Sequence, residues 1–135
     1  MEDKKILLVA LNGTQARLIS ENLEKLTERE RIAGFGLADS VEKARTLLND
    51  EFSGSVIVLD HDIGNYLGFV EENRRTPIIL YSGHITGRDY DLPYELRKSI
   101  EMENVVHVVK SAAHFMSSDN FYNQVLKPAE KSISS

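Results

Sequence analysis

The chain has 135 residues, enough for one domain with a sizeable core but hardly for two, and its 41% hydrophobic and 27% charged residues are typical of a globular protein. It contains no cysteine, which excludes disulfide bonds, zinc–thiolate sites and thiol catalysis. The net charge of −5 disfavours nucleic acid as a partner, because phosphate binding needs a concentrated basic face.

The apolar segments of the sequence are all too short to cross a membrane. The first of them, residues 6–11, follows a charged start and is also too short for a signal peptide. We therefore predict a cytoplasmic protein with no membrane partner. The nearest approach to a basic patch, residues 28–31, alternates in charge sign, which predicts a solvated surface.

Five short apolar runs, separated by turn residues, predict five β-strands. Continuous runs of this kind are typical of strands that are buried on both faces in a parallel sheet. The second run is weaker because it contains two glycines, and the fourth starts near Pro77, a position at which strands permit proline. The predicted strands cover residues 6–11, 32–38, 55–60, 76–82 and 105–109.

The segments between the strands carry apolar residues at three- and four-residue spacing, which predicts amphipathic helices. Thr14 is a candidate N-cap of the first helix and Ser40 of the second. Further helices are predicted around residues 67–73, after Pro93, and around residues 121–126. This alternation predicts a parallel sheet with helices on both faces, in a single domain over residues 1–135 of which about 4–127 are structured, the C-terminal tail being frayed.

Asp60 comes directly after the apolar run of the third strand. Ligands of open α/β sheets bind beyond the carboxyl ends of the strands, so this position predicts a functional carboxylate. An aspartate there can also serve only as a turn former or a helix N-cap. Ser82 and Lys110 end the fourth and fifth strands in the same way. We expect the acid, the hydroxyl and the amine to meet at one edge of the sheet.

Two further segments carry a resemblance to a known family. Residues 76–84 resemble the fourth strand and following loop of the receiver domains of two-component response regulators, and residues 40–44 resemble the start of their second helix. The resemblance extends over about residues 4–126. It implies a flavodoxin-like, doubly wound, five-stranded parallel sheet in the order 2-1-3-4-5, with helices on both faces.

The resemblance also implies roles for the residues at the strand ends. Asp60 matches the aspartate that accepts phosphate, Ser82 the hydroxyl residue that contacts the phosphoryl group, and Lys110 the lysine that pairs with it. His107 stands at the switch position on the fifth strand. These residue types suit the chemistry, because the ammonium group offsets the charge of a phosphoaspartate and the hydroxyl donates a hydrogen bond to it.

The family binds Mg²⁺ through an acidic pair after the first strand, together with the phosphoacceptor and a backbone carbonyl two residues beyond it. The matching positions here are Ala10 and Leu11, whose side chains offer no oxygen ligand. Asp60, Asp62 and Asn12 remain as candidate ligands, and two carboxylates from one strand end make a poor octahedral site. We therefore expect weak or no Mg²⁺ binding and no other cofactor.

These departures predict a pseudo-receiver: a non-enzymatic signalling module that acts through protein–protein contacts without efficient Mg²⁺-dependent phosphorylation of Asp60. A short third helix and Ser111, which follows Lys110 where the family usually has proline, agree with this prediction. The expected partner is a signalling protein or a histidine kinase. A homodimer is also expected, through the face formed by the helix after Pro93, the fifth strand and the last helix.

Three alternative functions remain open, and Asp60 can also have only a structural role in a permanent ion pair with Lys110. The first alternative is a stand-alone response regulator in which Asp60 is the working phosphoacceptor. Residues 59–62 also resemble the first motif of haloacid-dehalogenase-type phosphatases, in which Asp60 would be the nucleophile and Asp62 the general acid. That motif normally opens its fold, whereas two strand–helix units precede it here. An unrelated doubly wound binding domain is the third alternative.

Overall fold

A computed structural model describes residues 4–11, 13–60, 62–73, 76–81, 105–109, 118–123 and 127. Strands and helices alternate along the first part of the chain, as the sequence predicts. The described strands are β1 (Lys5–Val9), β2 (Gly34–Ala38), β3 (Val56–Asp60), β4 (Ile78–Tyr81) and β5 (Val105–Val109). The described helices are α1 (Thr14–Glu28), α2 (Val41–Leu48), α3 (Tyr66–Glu72) and α4 (Ser118–Phe121).

The strands form one parallel sheet in the order β2-β1-β3-β4-β5. The order of the first four strands confirms the predicted doubly wound arrangement. β5 pairs with β4 in parallel, with an irregularity in register between Ile78 and Ile79. Because the winding direction reverses between β1 and β3, the carboxyl ends of these two strands form the topological switch point, where such folds place their ligands.

Both faces of the sheet carry a hydrophobic core, because successive side chains of a strand point to opposite faces. One core cluster joins the sheet to α1 and to Tyr122, and the other joins it to α2, α3 and Phe52. All five residues of β3 are buried. The α1 face includes Ile6, Leu8, Ile19, Leu23, Leu26, Val56, Val58 and Ile79, and the opposite face includes Leu7, Val9, Val41, Ala44, Ile57, Leu59, Phe69, Val70, Ile78 and Leu80.

The start of α2 agrees with the sequence prediction, and the start of α1 does not. Ser40 caps α2, because its Oγ accepts the backbone N–H of Lys43 at 3.2 Å. The predicted N-cap Thr14 is wrong: Thr14 is the first residue of α1, and Gly13 precedes it without a side-chain cap. Helix α3 has seven residues, which confirms that the third helix is short.

The predicted helix after Pro93 and the predicted frayed tail, residues 131–135, lie outside the described residues. No helix in the described part of the chain has both the length and the apolar character needed to cross a membrane.

The charged segment that follows α1 packs against the last helix. Arg29 donates from Nη1 to Oδ1 of Asp119 at 2.8 Å and to Oγ of Ser118 at 3.3 Å. The guanidinium group of Arg31 lies 5.0 Å from the centre of the Tyr122 ring. The predicted exposure of residues 28–31 is confirmed. In addition, Arg29 contacts α4, and Arg31 contacts Tyr122, which follows α4.

Phe52 lies over Gly36 of the edge strand β2. A Cβ atom on Gly36 would come within 2.5 Å of Cζ and 2.7 Å of Cε2 of the Phe52 ring. The ring is buried, so it has little room to move away. Gly34, in the same strand, has no atom within 4 Å of the corresponding position. The two glycines therefore differ in the space that a side chain would find.

We expect Gly36→Ala to lower the free energy of unfolding by about 1–3 kcal/mol, because the new methyl group overlaps the buried Phe52 ring. Gly34→Ala is the matched control, and we expect its stability to stay within about 0.5–1 kcal/mol of wild type, in either direction. Urea unfolding of both variants measures the difference. Equal losses of stability in the two variants would contradict the packing of Phe52 on Gly36.

Helices α2 and α3 are joined by a bidentate ion pair. Arg45 donates from Nε to Oε2 of Glu72 at 2.8 Å and from Nη2 to Oε1 at 2.6 Å. The hydrogen bonds from Arg45 lower the pKa of the Glu72 carboxyl below its ordinary value, and they raise the pKa of Arg45. Both side chains are partly exposed, so the ion pair is open to screening by salt.

Folding lowers the pKa of Glu72, so the ionised carboxylate stabilises the folded protein. This stabilisation is fully present above the ordinary carboxyl pKa, and it is lost as the pH falls through the lowered pKa. We expect a carboxyl titration followed by NMR to show a depressed pKa for Glu72 in the wild type. In Arg45→Gln the pKa should return towards its ordinary value. The same depressed pKa in both proteins would show that Arg45 is not its cause.

Candidate functional site at the carboxyl edge of the sheet

The register of the sheet brings the end of β1 level with the end of β3. Val9 pairs with Ala38 on one side and with Leu59 on the other. The next residue, Ala10, donates its backbone N–H to the carbonyl of Ala38 at 3.0 Å, so β1 keeps its course beyond the last strand pair. Ala10, the residue after β1, is therefore one position beyond the pair of Val9 and Leu59, level with Asp60 at the end of β3.

Asp60 is held in a turn at a nearly buried position. Its residue surface is 8% exposed, and Oδ1 accepts the backbone N–H of Asp62 at 2.9 Å. The backbone carbonyl of Asp60 accepts the N–H of Ile63 at 3.1 Å. An aspartate that bonds to the backbone two residues further on forms an Asx turn. Asp60 is thus a turn former, whatever else its carboxylate does.

The two residues that follow β1 place no carboxylate level with Asp60. Ala10 is buried and Leu11 is 49% exposed, and neither side chain carries an oxygen. Among the described residues, no group of three or more acidic, histidine or cysteine side chains is suited to hold a metal ion. Mg²⁺ demands near-octahedral oxygen coordination. Asp60 and Asp62, the predicted ligands that the structure describes, do not fit a receiver-type Mg²⁺ site.

Three of the predicted site residues lie outside the described part of the chain: Asn12, Ser82 and Lys110. So does the side chain of His107, whose backbone pairs with Ile79 of β4. Tyr81 pairs with Asp60 on one side and with Val109 on the other. The residues just before Ser82 and Lys110 are therefore level with Asp60, and the convergence of the three side chains stays a prediction.

A cavity of about 720 Å³ lies at the same edge, between the ends of β1 and β2 and the starts of α1 and α2. Its charged lining residues are Arg17, Asp39 and Lys43. The sequence does not predict this cavity, because its lining comes from four elements and no motif or spacing links the residues. The cavity lies on the side of Ala10 away from β3.

No protein-family model matches the sequence, and comparison with curated proteins gives no match. Several solved structures are similar in fold, among them the following two. The lysine decarboxylase LdcF of Francisella novicida matches with a TM-score of 0.66 and 14% identity, over 100% of this chain and 18% of the decarboxylase chain. The response regulator RcsB of Salmonella typhimurium matches with a TM-score of 0.61 and 12% identity, over 99% of this chain and 66% of the regulator chain.

These similarities establish the fold alone. The match to RcsB supports the receiver-like α/β fold that the sequence predicts. The match to LdcF shows a similar fold within a small part of a much longer enzyme chain. Because one fold serves both proteins, function here has to be argued from the side chains at the edge of the sheet.

We expect Ala10→Asp to destabilise the protein by about 1–3 kcal/mol at neutral pH, because a second carboxylate would enter beside the nearly buried Asp60. Added Mg²⁺ should recover part of this loss in the variant and leave the wild type unchanged. Thermal unfolding with and without Mg²⁺ measures both effects.

Leu11→Asp is the control for the charge change itself. Leu11 is half-exposed, so we expect its replacement to change stability by no more than about 0.5 kcal/mol. An Ala10→Asp variant as stable as Leu11→Asp would contradict the placement of Ala10 level with Asp60.

Proposed function

We propose that the chain is a receiver-like signalling module that acts through protein–protein contacts and does not rely on Mg²⁺-dependent phosphorylation of Asp60. The observation that supports this proposal most directly is Ala10. A buried alanine stands level with Asp60, where a receiver of the ordinary kind carries an acidic residue for the cation.

Charge is the physical reason for this proposal. Phosphoryl transfer is catalysed almost entirely by positioning and by neutralising the charge of the transferred group. Asp60, which is buried, and Asp62, which is exposed, both bring negative charge to this edge. Like charges repel more strongly where water is partly excluded, as it is at Asp60. Without a bridging cation, a phosphoryl donor meets repulsion. Asp60 is retained in this proposal as the residue that closes the turn after β3.

The packing of α4 supports a surface that exists without phosphorylation. Arg29 and Arg31 hold this part of the chain through Asp119, Ser118 and the Tyr122 ring. None of these contacts involves Asp60.

The proposed partner is a signalling protein or a histidine kinase in the cytoplasm. A second copy of the chain, bound through the face that contains β5 and the last helix, is a further proposed partner.

The test is an amide NMR titration with Mg²⁺ alone and then with Mg²⁺ and beryllofluoride, a mimic of the phosphoryl group. We expect no saturable shifts around Asp60 up to about 10 mM Mg²⁺ in the wild type, in keeping with the incomplete ligand set. The double variant Ala10→Asp, Leu11→Asp is the matched control. It restores the acidic pair and should respond to both additions.

A wild-type response that needs both Mg²⁺ and beryllofluoride would overturn the proposal in favour of a phosphorylatable response regulator. A response to neither in the wild type or in the double variant would show that more than the acidic pair separates this site from a working receiver. Hydrolysis of a phosphomonoester that is lost in Asp62→Asn would instead establish the phosphatase alternative.

A further inference from the structure

The cavity beside β1 has an apolar floor. Leu8, Ala10, Ala16 and Leu37 line it, and Leu37 is 49% exposed although it lies within a strand. The volume of about 720 Å³ is within the range of small-molecule sites. An exposed leucine beside a cavity of this size offers apolar surface that a ligand can cover.

The rim of the cavity carries two cations and one carboxylate, namely Arg17, Lys43 and Asp39. None of the three takes part in an ion pair within the described part of the chain, where the ion pairs join Arg29 with Asp119 and Arg45 with Glu72. The first turn of α1, next to the cavity, contains no acidic residue. The two cations and one carboxylate of the lining give it a net charge of +1 in a chain of net charge −5, and Glu42, in the first turn of α2, does not line the cavity.

Ser20 adds a polar group to the same wall. Its hydroxyl donates to the carbonyl of Ala16 at 2.8 Å, so the oxygen remains an acceptor towards the cavity that it lines. Asp39, which follows β2, is a second acceptor in the lining. The cavity thus combines an apolar floor with donors for an anion and with acceptors for a hydroxyl or an amine.

We propose that this cavity binds an organic anion, with its apolar body on the floor and a phosphate or carboxylate group between Arg17 and Lys43. The guanidinium fork and the ammonium group both form charge-assisted hydrogen bonds with such a group. The cavity lies at the carboxyl ends of β1 and β2, the edge at which doubly wound sheets bind ligands, but beside the switch point between β1 and β3 and not at it. The inference goes beyond the proposed function, because neither Asp60 nor Mg²⁺ takes part.

The test uses three probes that share one apolar body: 1-naphthyl phosphate, 1-naphthoate and uncharged 1-naphthol. Amide NMR titration of the full chain should show saturable shifts for Arg17, Leu37 and Lys43 with the two anions. We expect the naphthol to bind about tenfold more weakly, since it lacks the charge-assisted contacts. The tighter of the two anions identifies the preferred head group.

Variants distinguish anion binding by Arg17 and Lys43 from a general effect of the protein's charge on anion affinity. We expect Arg17→Gln combined with Lys43→Gln to weaken anion binding about tenfold and to leave naphthol binding unchanged. Lys25→Gln removes an exposed cation of α1 that does not line the cavity, and it should bind the anions as the wild type does. Leu37→Glu brings a carboxylate to the floor and should abolish anion binding in a folded protein.

The inference would be overturned if no probe caused a saturable shift up to about 10 mM, a range that reaches weak millimolar affinities. It would also be overturned if naphthol bound as tightly as the anions. A third contrary result would be an equal loss of anion affinity in Lys25→Gln and in the variant that lacks both Arg17 and Lys43. Because no Mg²⁺ or beryllofluoride is present, these results leave the proposed function standing.

Discussion

The burial of β3 on both faces is the constraint on which the rest of the structure depends. A strand whose five residues are all buried needs a neighbouring strand on each side and a layer of helices on each face. The last of the five residues is Asp60. The strand whose apolar residues form the core therefore ends in a carboxylate at the edge of the sheet. A polar group at such a depth requires a hydrogen-bond donor, and the backbone of Asp62 supplies it.

Much of the fold follows from this apolar patterning. The predicted bounds of β5 agree with the structure, and those of β3 differ by one residue. In the sequence, a polar or charged residue stands next to each end of both strands: Asn104 and Lys110 for β5, and Ser55 and His61 for β3. The run of β1 was predicted to extend to Leu11, yet the strand ends at Val9. Hydrophobicity does not mark the end of a strand when the chain stays apolar beyond its last paired residue. The prediction that Thr14 is the N-cap of α1 was wrong for a similar reason. Threonine is common both at the N-cap and in the first turn of a helix, so the residue type does not distinguish the two positions.

The candidate site could be predicted only where it is local in sequence. The position of Asp60 follows from the apolar run of β3. The missing acidic pair was predicted from the resemblance to receiver domains, whose acidic positions match Ala10 and Leu11. The turn that Asp60 closes was predicted as an alternative role, because an Asx turn is a property of neighbouring residues. The cavity depends instead on how α1 and α2 pack against β1 and β2. This packing cannot be predicted from the spacing of residues in the sequence. Arg17 and Lys43 look like ordinary exposed helix residues until the packing of both helices is known.

The contact between Arg29 and Asp119 joins residues that are 90 positions apart. Tyr122, one turn further on, belongs to the core cluster beneath α1. During synthesis, at about 5–20 residues per second, the last residue of α1 is made about 5–20 seconds before Tyr122. The core beneath α1 therefore lacks this aromatic side chain for that time, and the contact between Arg29 and Asp119 can form only at its end.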